Sequence, residues 1–240
     1  MIKRNFEKVY GSTIRSAFKV VNPIKKKMIK TKCLMHKFLN EKSLQIMKKN
    51  EYLREYNFYK NFLYDLNEGA TWIDQDFKSI NHFYHFEDHK GLFGFSNALS
   101  EALKYYAYSI KFLKKGQIHK SIFYLGAVSH LIQDMTIPHH VNNNLLKQHR
   151  KFEQWIITQV IYNKKFFQDG DIIRYSGLKE YIIKNAIEAN NSYIINKYII
   201  NIEDRFERMA SNSIYRAEST TTGFLLDFYN NEVKRYWVDN

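Results

Sequence analysis

His130-Leu-Ile-Gln-Asp134-Met-Thr-Ile-Pro138-His139-His140, which resumes as His149-Arg-Lys-Phe-Glu153, is the most informative part of this sequence. It contains two pairs of polar side chains, His130 with Asp134 and His149 with Glu153, each spaced i,i+4. In an α-helix this spacing puts both members of a pair on one face, about 6 Å apart along the axis, so that both can reach one ion. Either pair alone is also typical of an ordinary helix surface.

Pro138 separates the two pairs. Proline lacks an N–H and clashes with the preceding turn, so we expect it to end the first helix and to leave His139 and His140 on an irregular turn. Imidazole and carboxylate are natural zinc ligands, and a zinc site needs three or four of them in one place. Two such pairs on either side of a Pro-His turn therefore predict a metal site.

The composition predicts an all-α protein. Only nine glycines and two prolines occur in 240 residues, which favours long helices with short connections over a sheet sandwich. With 45% hydrophobic residues the chain can bury a full core. No apolar run approaches the roughly 18–20 residues of a transmembrane helix. The single cysteine, Cys33, excludes a framework of internal disulfides.

The positive charge is concentrated at the N-terminus. Residues 1–30 contain nine Lys or Arg and one Glu, which gives 9 − 1 = +8 of the total of +13. Such an arm suits an anionic surface, either lipid or nucleic acid, although a solvated basic tail is equally compatible with it. We therefore divide the chain into a basic extension, 1–30, and a helical domain, 31–240. The extension lacks the apolar core of a secretory signal, which favours a cytoplasmic or membrane-associated protein.

Hydrophobic periodicity places the main helices. Apolar stripes predict helices over 51–67, 97–115 and 117–133, and two or three more within 178–237. Gly69 follows the first of these stripes and is predicted to cap it, with a loop from Ala70 to Asp76.

The central stretch resembles the signature of the zinc-dependent phospholipase C family, which includes the bacillary phosphatidylcholine-hydrolysing enzyme and the catalytic domain of clostridial alpha-toxin. The family pattern is His-x-x-x-Asp, then six residues on a His with Pro two before it, then His-x-x-x-Glu. His130, Asp134, His140, His149 and Glu153 match all five positions. Related fungal single-strand nucleases usually finish with His-x-x-x-Asp, so the final Glu favours the phospholipase branch.

The resemblance implies further ligands upstream. His36 matches the first histidine of the family. Asp74 matches a loop aspartate that is both a metal ligand and a candidate general base. His85 fits the next ligand position best, with His82 as a competitor. The implied metal ligands are His36, Asp74, His85, His130, Asp134, His140, His149 and Glu153.

The resemblance also implies how the metals are shared. Asp134 would bridge two zinc ions, one completed by Asp74, His85 and His130, the other by His36, while His140, His149 and Glu153 hold a further zinc. Exported family members bind one zinc through an N-terminal Trp, whereas the first Trp here is Trp72. We therefore expect two or three zinc ions.

The implied fold is the compact multi-helix bundle of phospholipase C and single-strand nucleases, with a central metal cluster. The implied activity is zinc-dependent hydrolysis of the glycerol-side phosphodiester of a phosphatidylcholine-like phospholipid by a monomer at a membrane surface. Family habit would make the protein secreted. Gln75, Phe83 and Phe86 are the candidate substrate-binding residues. Two alternatives stay open: a zinc phosphodiesterase acting on single-stranded nucleic acid, although nucleic acid is the less favoured partner, and a catalytically impaired membrane-surface protein.

Overall fold

The computed structural model describes residues 33–75, 78–92, 96–142, 147–163, 166 and 170–238. Within these ranges the chain is helical and contains no strand, which confirms the prediction of an all-α protein. The helices are α1 (Leu34–Lys49), α2 (Leu53–Asn61), α3 (Leu63–Ile73), a 3-10 turn (Lys78–His82), α4 (Ala98–Leu113), α5 (Ile118–Asp134), α6 (Pro138–Val141), α7 (Lys147–Ile157) with a π-helical extension (Thr158–Tyr162), α8 (Leu178–Asn196) and α9 (Ile202–Phe228), which continues as a π-helix (Tyr229–Val238).

Helix α5 is the centre of the bundle. Every residue in its last ten positions, 125–134, is buried, as expected for a helix covered on all sides. It packs most extensively against α3 and α4, and also contacts α8 and α9. The polar side chains at its C-terminal end, which include His130 and Asp134, are therefore held inside the protein.

Two glycines allow α3 and α5 to approach each other closely. A Cβ atom on Gly69 would lie 1.7 Å from the carbonyl oxygen of Phe123, and one on Gly126 would lie 2.0 Å from that of Leu66. The predicted cap at Gly69 is wrong, because α3 continues to Ile73. This glycine provides room for the neighbouring backbone instead of ending the helix.

A second apolar cluster fixes the position of α7. Phe152 and Ile156 of α7 are buried against Phe206 and Met209 of α9 and Leu39 of α1. These contacts hold the helix that carries His149 and Glu153 against the rest of the bundle.

The connection after α5 differs in detail from the prediction. Helix α5 ends at Asp134, and Pro138 occupies the first turn of α6, where its missing N–H is not needed. His139 and His140 thus lie on a one-turn helix and not on an irregular turn.

The predicted basic extension, 1–30, lies outside the described residues, so the boundary between it and the helical domain stays a prediction. In the part of the chain that the structure describes, no helix is both long enough and apolar enough to cross a membrane.

The α3–α5 contact gives a test of the packing. We expect Gly126→Ala to lower the free energy of unfolding by about 2 kcal/mol or more, because the new methyl group meets rigid backbone. Chemical denaturation of the purified variant measures this change.

Gly177→Ala is the matched control. An added Cβ atom at Gly177 has no neighbour within 4 Å, and its φ of 178° is extended backbone. Gly177 is also the N-cap of α8, where Ala is less favourable than Gly, so we expect a loss of at most about 1 kcal/mol. Equal stability of the two variants would contradict the packing described here.

Candidate metal centre

The side chain of Asp134 is the centre of the candidate site. Only 5% of it is exposed, and four imidazoles surround its carboxylate. Oδ2 lies 2.8 Å from His82 Nδ1 and 3.1 Å from His130 Nε2. Oδ1 lies 3.6 Å from His36 Nε2 and 3.9 Å from His140 Nε2. Ring nitrogens from four separate segments thus converge on one carboxylate.

The hydrogen bond of His82 to the backbone indicates which form of its ring faces Asp134. His82 Nε2 lies 3.2 Å from the carbonyl oxygen of Ile73, which can only accept a hydrogen bond. In the neutral ring the proton is therefore on Nε2, and the lone pair of Nδ1 faces Asp134. Among the described atoms, Asp134 Oδ2 has no hydrogen-bond partner that meets geometric criteria. With His82 in this neutral form, a cation bound by both atoms would relieve the contact between two acceptors 2.8 Å apart.

A buried amide sets the tautomer of His36. Gln133 Nε2 donates to Asn40 Oδ1 at 3.0 Å and to Thr221 Oγ1 at 3.2 Å, so the amide orientation is fixed. Its Oε1 atom then accepts from His36 Nδ1–H at 2.8 Å. The lone pair of His36 Nε2 is consequently directed toward Asp134. Such partners are typical of metal-ligating histidines.

Burial and neighbouring charges set the protonation states of the groups around Asp134. Burial, helped by the neighbouring His130, lowers the pKa of His36 to about 4. Burial also lowers the pKa of His130. Burial opposes ionisation of Asp134, but the imidazoles of His130 and His140 outweigh it and hold the pKa of the carboxyl well below its usual range. At neutral pH Asp134 is therefore a carboxylate and His36 is a neutral ring, the protonation states that metals bind. Burial opposes protonation of His140, but the carboxylates of Asp134 and Glu153 outweigh it and raise the pKa of this ring, so a metal bound there would displace a proton.

His140, His149 and Glu153 form a second group. Both His149 Nε2 and His140 Nε2 face Glu153 Oε1, at 2.8 Å and 3.6 Å, and the two nitrogens are 3.0 Å apart. Ligands about 2.0 Å from a tetrahedral zinc ion are about 3.3 Å from one another. Burial opposes ionisation of Glu153, but hydrogen bonds from His140 and His149 hold the pKa of its carboxyl well below its usual range. The donor set and its spacing fit zinc.

Asp74 joins the first group from the C-terminal end of α3. One of its carboxylate oxygens lies within 4.8 Å of ligand atoms of His82 and His130. Its Oδ2 atom accepts a hydrogen bond from the Sγ of buried Cys33 at 3.5 Å. Asp74 also lines the cavity beside Asp134. The structure thus brings seven of the eight sequence-predicted metal ligands around this cavity.

The exception is His85. Its Nδ1 atom lies 3.3 Å from Asp88 on a surface turn, and its side chain is 25% exposed. His82, the competing candidate, is the buried residue that contacts Asp134 instead. The backbone on both sides of His85 is bonded to the following helix, through Tyr84 N–H to the His140 carbonyl and Phe86 N–H to the Val141 carbonyl. The side chain of His85 nevertheless lies against Asp88 and not against Asp134.

Of the three predicted substrate-binding residues, one lines the cavity and two lie elsewhere. Phe83 lines the cavity and stacks on His140, with ring centroids 4.8 Å apart. Gln75 and Phe86 are not among the cavity-lining residues that the structure describes. Phe86 packs against the main core, and the Gln75 N–H donates to the Trp72 carbonyl.

Part of the cavity lining is an apolar wall, which no local sequence pattern predicts. The wall comes from α1, α7 and α9, whose residues are far apart in the chain. No Lys or Arg in the described ranges lines the cavity. The apolar lining residues from these helices are Met35, Leu39, Ile156, Ile157, Ile214 and Ala217.

The fold is similar to that of clostridial alpha-toxins of known structure. The chain is similar to the alpha-toxin of Clostridium absonum, with 19% identity and a TM-score of 0.71 over 82% of this chain. The corresponding values for the alpha-toxin of an avian strain of Clostridium perfringens are 16%, 0.68 and 82%. The chain spans 63% and 64% of the two toxin chains. These similarities establish the shared fold.

A search among curated proteins finds no match. The sequence model of one family, described as zinc dependent phospholipase C, matches residues 35–213. This range includes every residue of the cluster around Asp134, from His36 to Glu153, and covers most of the chain. The chain therefore belongs to the zinc-dependent phospholipase C family.

Proposed function

We propose that this protein is a zinc-dependent phospholipase C that hydrolyses the glycerol-side phosphodiester of a phosphatidylcholine-like phospholipid. The products are diacylglycerol and a phosphorylated headgroup. The observation that carries the proposal is a buried carboxylate, surrounded by imidazole nitrogens, in a cavity that also has an apolar wall. Membership of the family supports it.

The residues fit two or three zinc ions. One ion would be held by Asp134 with Asp74, His82 and His130, where His82 replaces the sequence-predicted His85. A second would be held by Asp134 and His36. The group His140, His149 and Glu153 would hold the third. Bound zinc lowers the pKa of water and withdraws charge from phosphoryl oxygens.

Asp74 is proposed to act as the general base in hydrolysis. Its carboxylate lies at the cavity, where it can orient a water molecule and accept the proton that this water loses. The water oxygen adds to phosphorus, and the bond from phosphorus to the glycerol oxygen breaks. The proton then passes to the glycerol oxygen, which leaves as an alcohol. Atoms and charge balance with water as the only co-reactant.

The lining of the cavity favours lipid over nucleic acid. Single-stranded nucleic acid is bound through Lys and Arg at its phosphates and through aromatic rings beneath its bases. Apart from histidines, Phe83 is the one aromatic residue among the described lining residues, and these include no Lys or Arg. The apolar wall suits the glycerol and acyl part of a phospholipid. Because Phe83 lines the cavity, it is the proposed contact for the lipid headgroup.

The direct test is release of phosphocholine from phosphatidylcholine vesicles by the zinc-loaded protein. We expect cleavage that a zinc chelator abolishes and that added zinc restores. Single-stranded DNA assayed in parallel should stay intact. Chelator-sensitive cleavage of DNA alone would contradict the proposal and favour a nuclease.

A matched pair of variants tests the ligand assignment. His82→Ala removes a ring that contacts Asp134, so we expect loss of bound zinc and a fall in activity of at least about a hundredfold. His85→Ala changes a partly exposed ring outside the cluster and should keep both zinc and activity. Zinc content by elemental analysis provides a readout independent of turnover. Loss of zinc and activity in His85→Ala, with both kept in His82→Ala, would contradict this assignment and make His85 the ligand.

The amide of Gln133 gives a third test, in which the ligands themselves are unchanged. Gln133→Leu removes the acceptor that orients His36, and we expect zinc affinity to fall about 10–100-fold. Competition with a chromophoric chelator measures it.

Ser129→Ala is the control for Gln133→Leu. Ser129 is buried on the same helix, and its Oγ atom has no hydrogen-bond partner among the described residues. This variant should bind zinc like the parent protein. Equal zinc affinity in Gln133→Leu and the parent would show that His36 does not need the amide.

A further inference from the structure

The connection between α8 and α9 exposes an unusual amount of apolar surface. Residues 194–202 read Ile-Ile-Asn-Lys-Tyr-Ile-Ile-Asn-Ile, so six of nine are Ile or Tyr. We refer to this segment as the α8–α9 tip. Its most exposed side chains point into solvent: Ile195 is 74% exposed, Tyr198 80% and Ile200 98%. Exposed apolar residues concentrated in one segment mark an interaction site far more often than single ones do.

The backbone of the tip is held by hydrogen bonds. Lys197 N–H donates to the Tyr193 carbonyl at 2.8 Å, and Ile199 N–H donates to the Asn196 carbonyl at 3.0 Å. On the other side, the side chain of Asn201 accepts from two backbone N–H groups of the first turn of α9. The exposure of the apolar side chains is therefore built into the turn.

The tip lies beside the candidate metal centre. Ile195 borders a surface depression that Thr136 and Ser213 also line, and these two residues line the main cavity as well. The Ser213 hydroxyl donates to the Thr136 carbonyl at 2.7 Å, so one hydrogen-bonded pair separates the depression from the cavity. In addition, Trp155 of α7 donates to Glu203, the residue directly after the tip. A surface that binds the tip would thus be close to the cavity.

We propose that the α8–α9 tip inserts into the surface of a phospholipid bilayer and holds the cavity against it. This inference rests on the proposed function, because it supplies the site with its lipid substrate. Isoleucine side chains suit the boundary of the acyl chains, and tyrosine suits the level of the headgroups. Lys197 is the only charged residue in the tip, and its ammonium lies 4.9 Å from the ring centre of Tyr198. A positive charge beside apolar residues complements lipid phosphates.

The size of the tip favours a lipid surface over a second protein copy. A stable protein interface uses about 20–30 residues on each side. The tip has nine residues, and they protrude at a turn between two helices. Insertion into a bilayer needs only a few exposed apolar side chains.

The test compares two triple variants. The tip variant carries Ile195→Ser, Tyr198→Ser and Ile200→Ser. The control variant carries Leu53→Ser, Leu103→Ser and Tyr64→Ser, which are also exposed and also comprise two aliphatic residues and one tyrosine. Unfolding midpoints close to the parent should show that both variants fold.

Binding is measured on vesicles made only of a phosphonate analogue of phosphatidylcholine, whose P–C bond in place of the glycerol-side ester resists hydrolysis. Without net charge, these vesicles give the basic extension no electrostatic attraction. We expect the tip variant to lose about tenfold or more in vesicle partitioning, and the control to lose none. Equal partitioning of the tip variant and the parent, or equal loss in both variants, would overturn the inference.

Activity measurements distinguish a failure of this inference from a failure of the proposed function. Short-chain phosphatidylcholine dissolved as monomers needs no membrane, so the tip variant should cleave it at the rate of the parent while its rate on phosphatidylcholine vesicles falls. Loss of both activities would overturn the inference, as would self-association of the parent that the tip variant lacks. If the parent cleaves neither substrate, the proposed function fails, and the partitioning measurement still decides the role of the tip.

Discussion

The structure depends on how one buried negative charge is accommodated. Asp134 lies at the end of the central helix with its side chain 5% exposed, and its carboxyl pKa is held well below the usual range. An ionised carboxylate inside a protein is costly unless other groups balance it. Its nearest neighbours are imidazoles, and burial lowers the pKa of two of them, His36 and His130. We propose that zinc ions shared by the carboxylate and these rings would provide the balancing positive charge.

The helices around α5 position the rings. The close approach at Gly69 and Gly126 brings the end of α3, with Asp74, next to the end of α5. Pro138 redirects the chain within four residues of Asp134, so that His140 returns to the same carboxylate. The cluster around Phe152 then brings α7 alongside. Packing contacts within the protein thus position these candidate ligands.

The sequence predicted the parts of the site that are local in the chain. The i,i+4 spacing of His130 with Asp134 and of His149 with Glu153 sufficed, because helix geometry alone places such side chains together. The family resemblance favoured His85 over His82, whereas the structure brings His82 to Asp134. The path of the chain around the 3-10 turn makes this choice, and no local spacing predicts it. Gly69 was wrongly predicted to cap a helix. Its role is to let the backbone of Phe123 approach closely, and this contact exists only in the folded protein. The apolar wall joins residues from both ends of the chain, and its formation depends on the fold as a whole.

Anomalous X-ray diffraction at the zinc absorption edge, on crystals of the zinc-loaded protein, would test whether the buried carboxylate is the anchor of a metal cluster. We expect anomalous peaks between Asp134 and the rings of His82, His130 and His36, and a further peak among His140, His149 and Glu153. No peak beside Asp134 in a protein that binds zinc, or a peak coordinated by His85 in place of His82, would contradict this expectation.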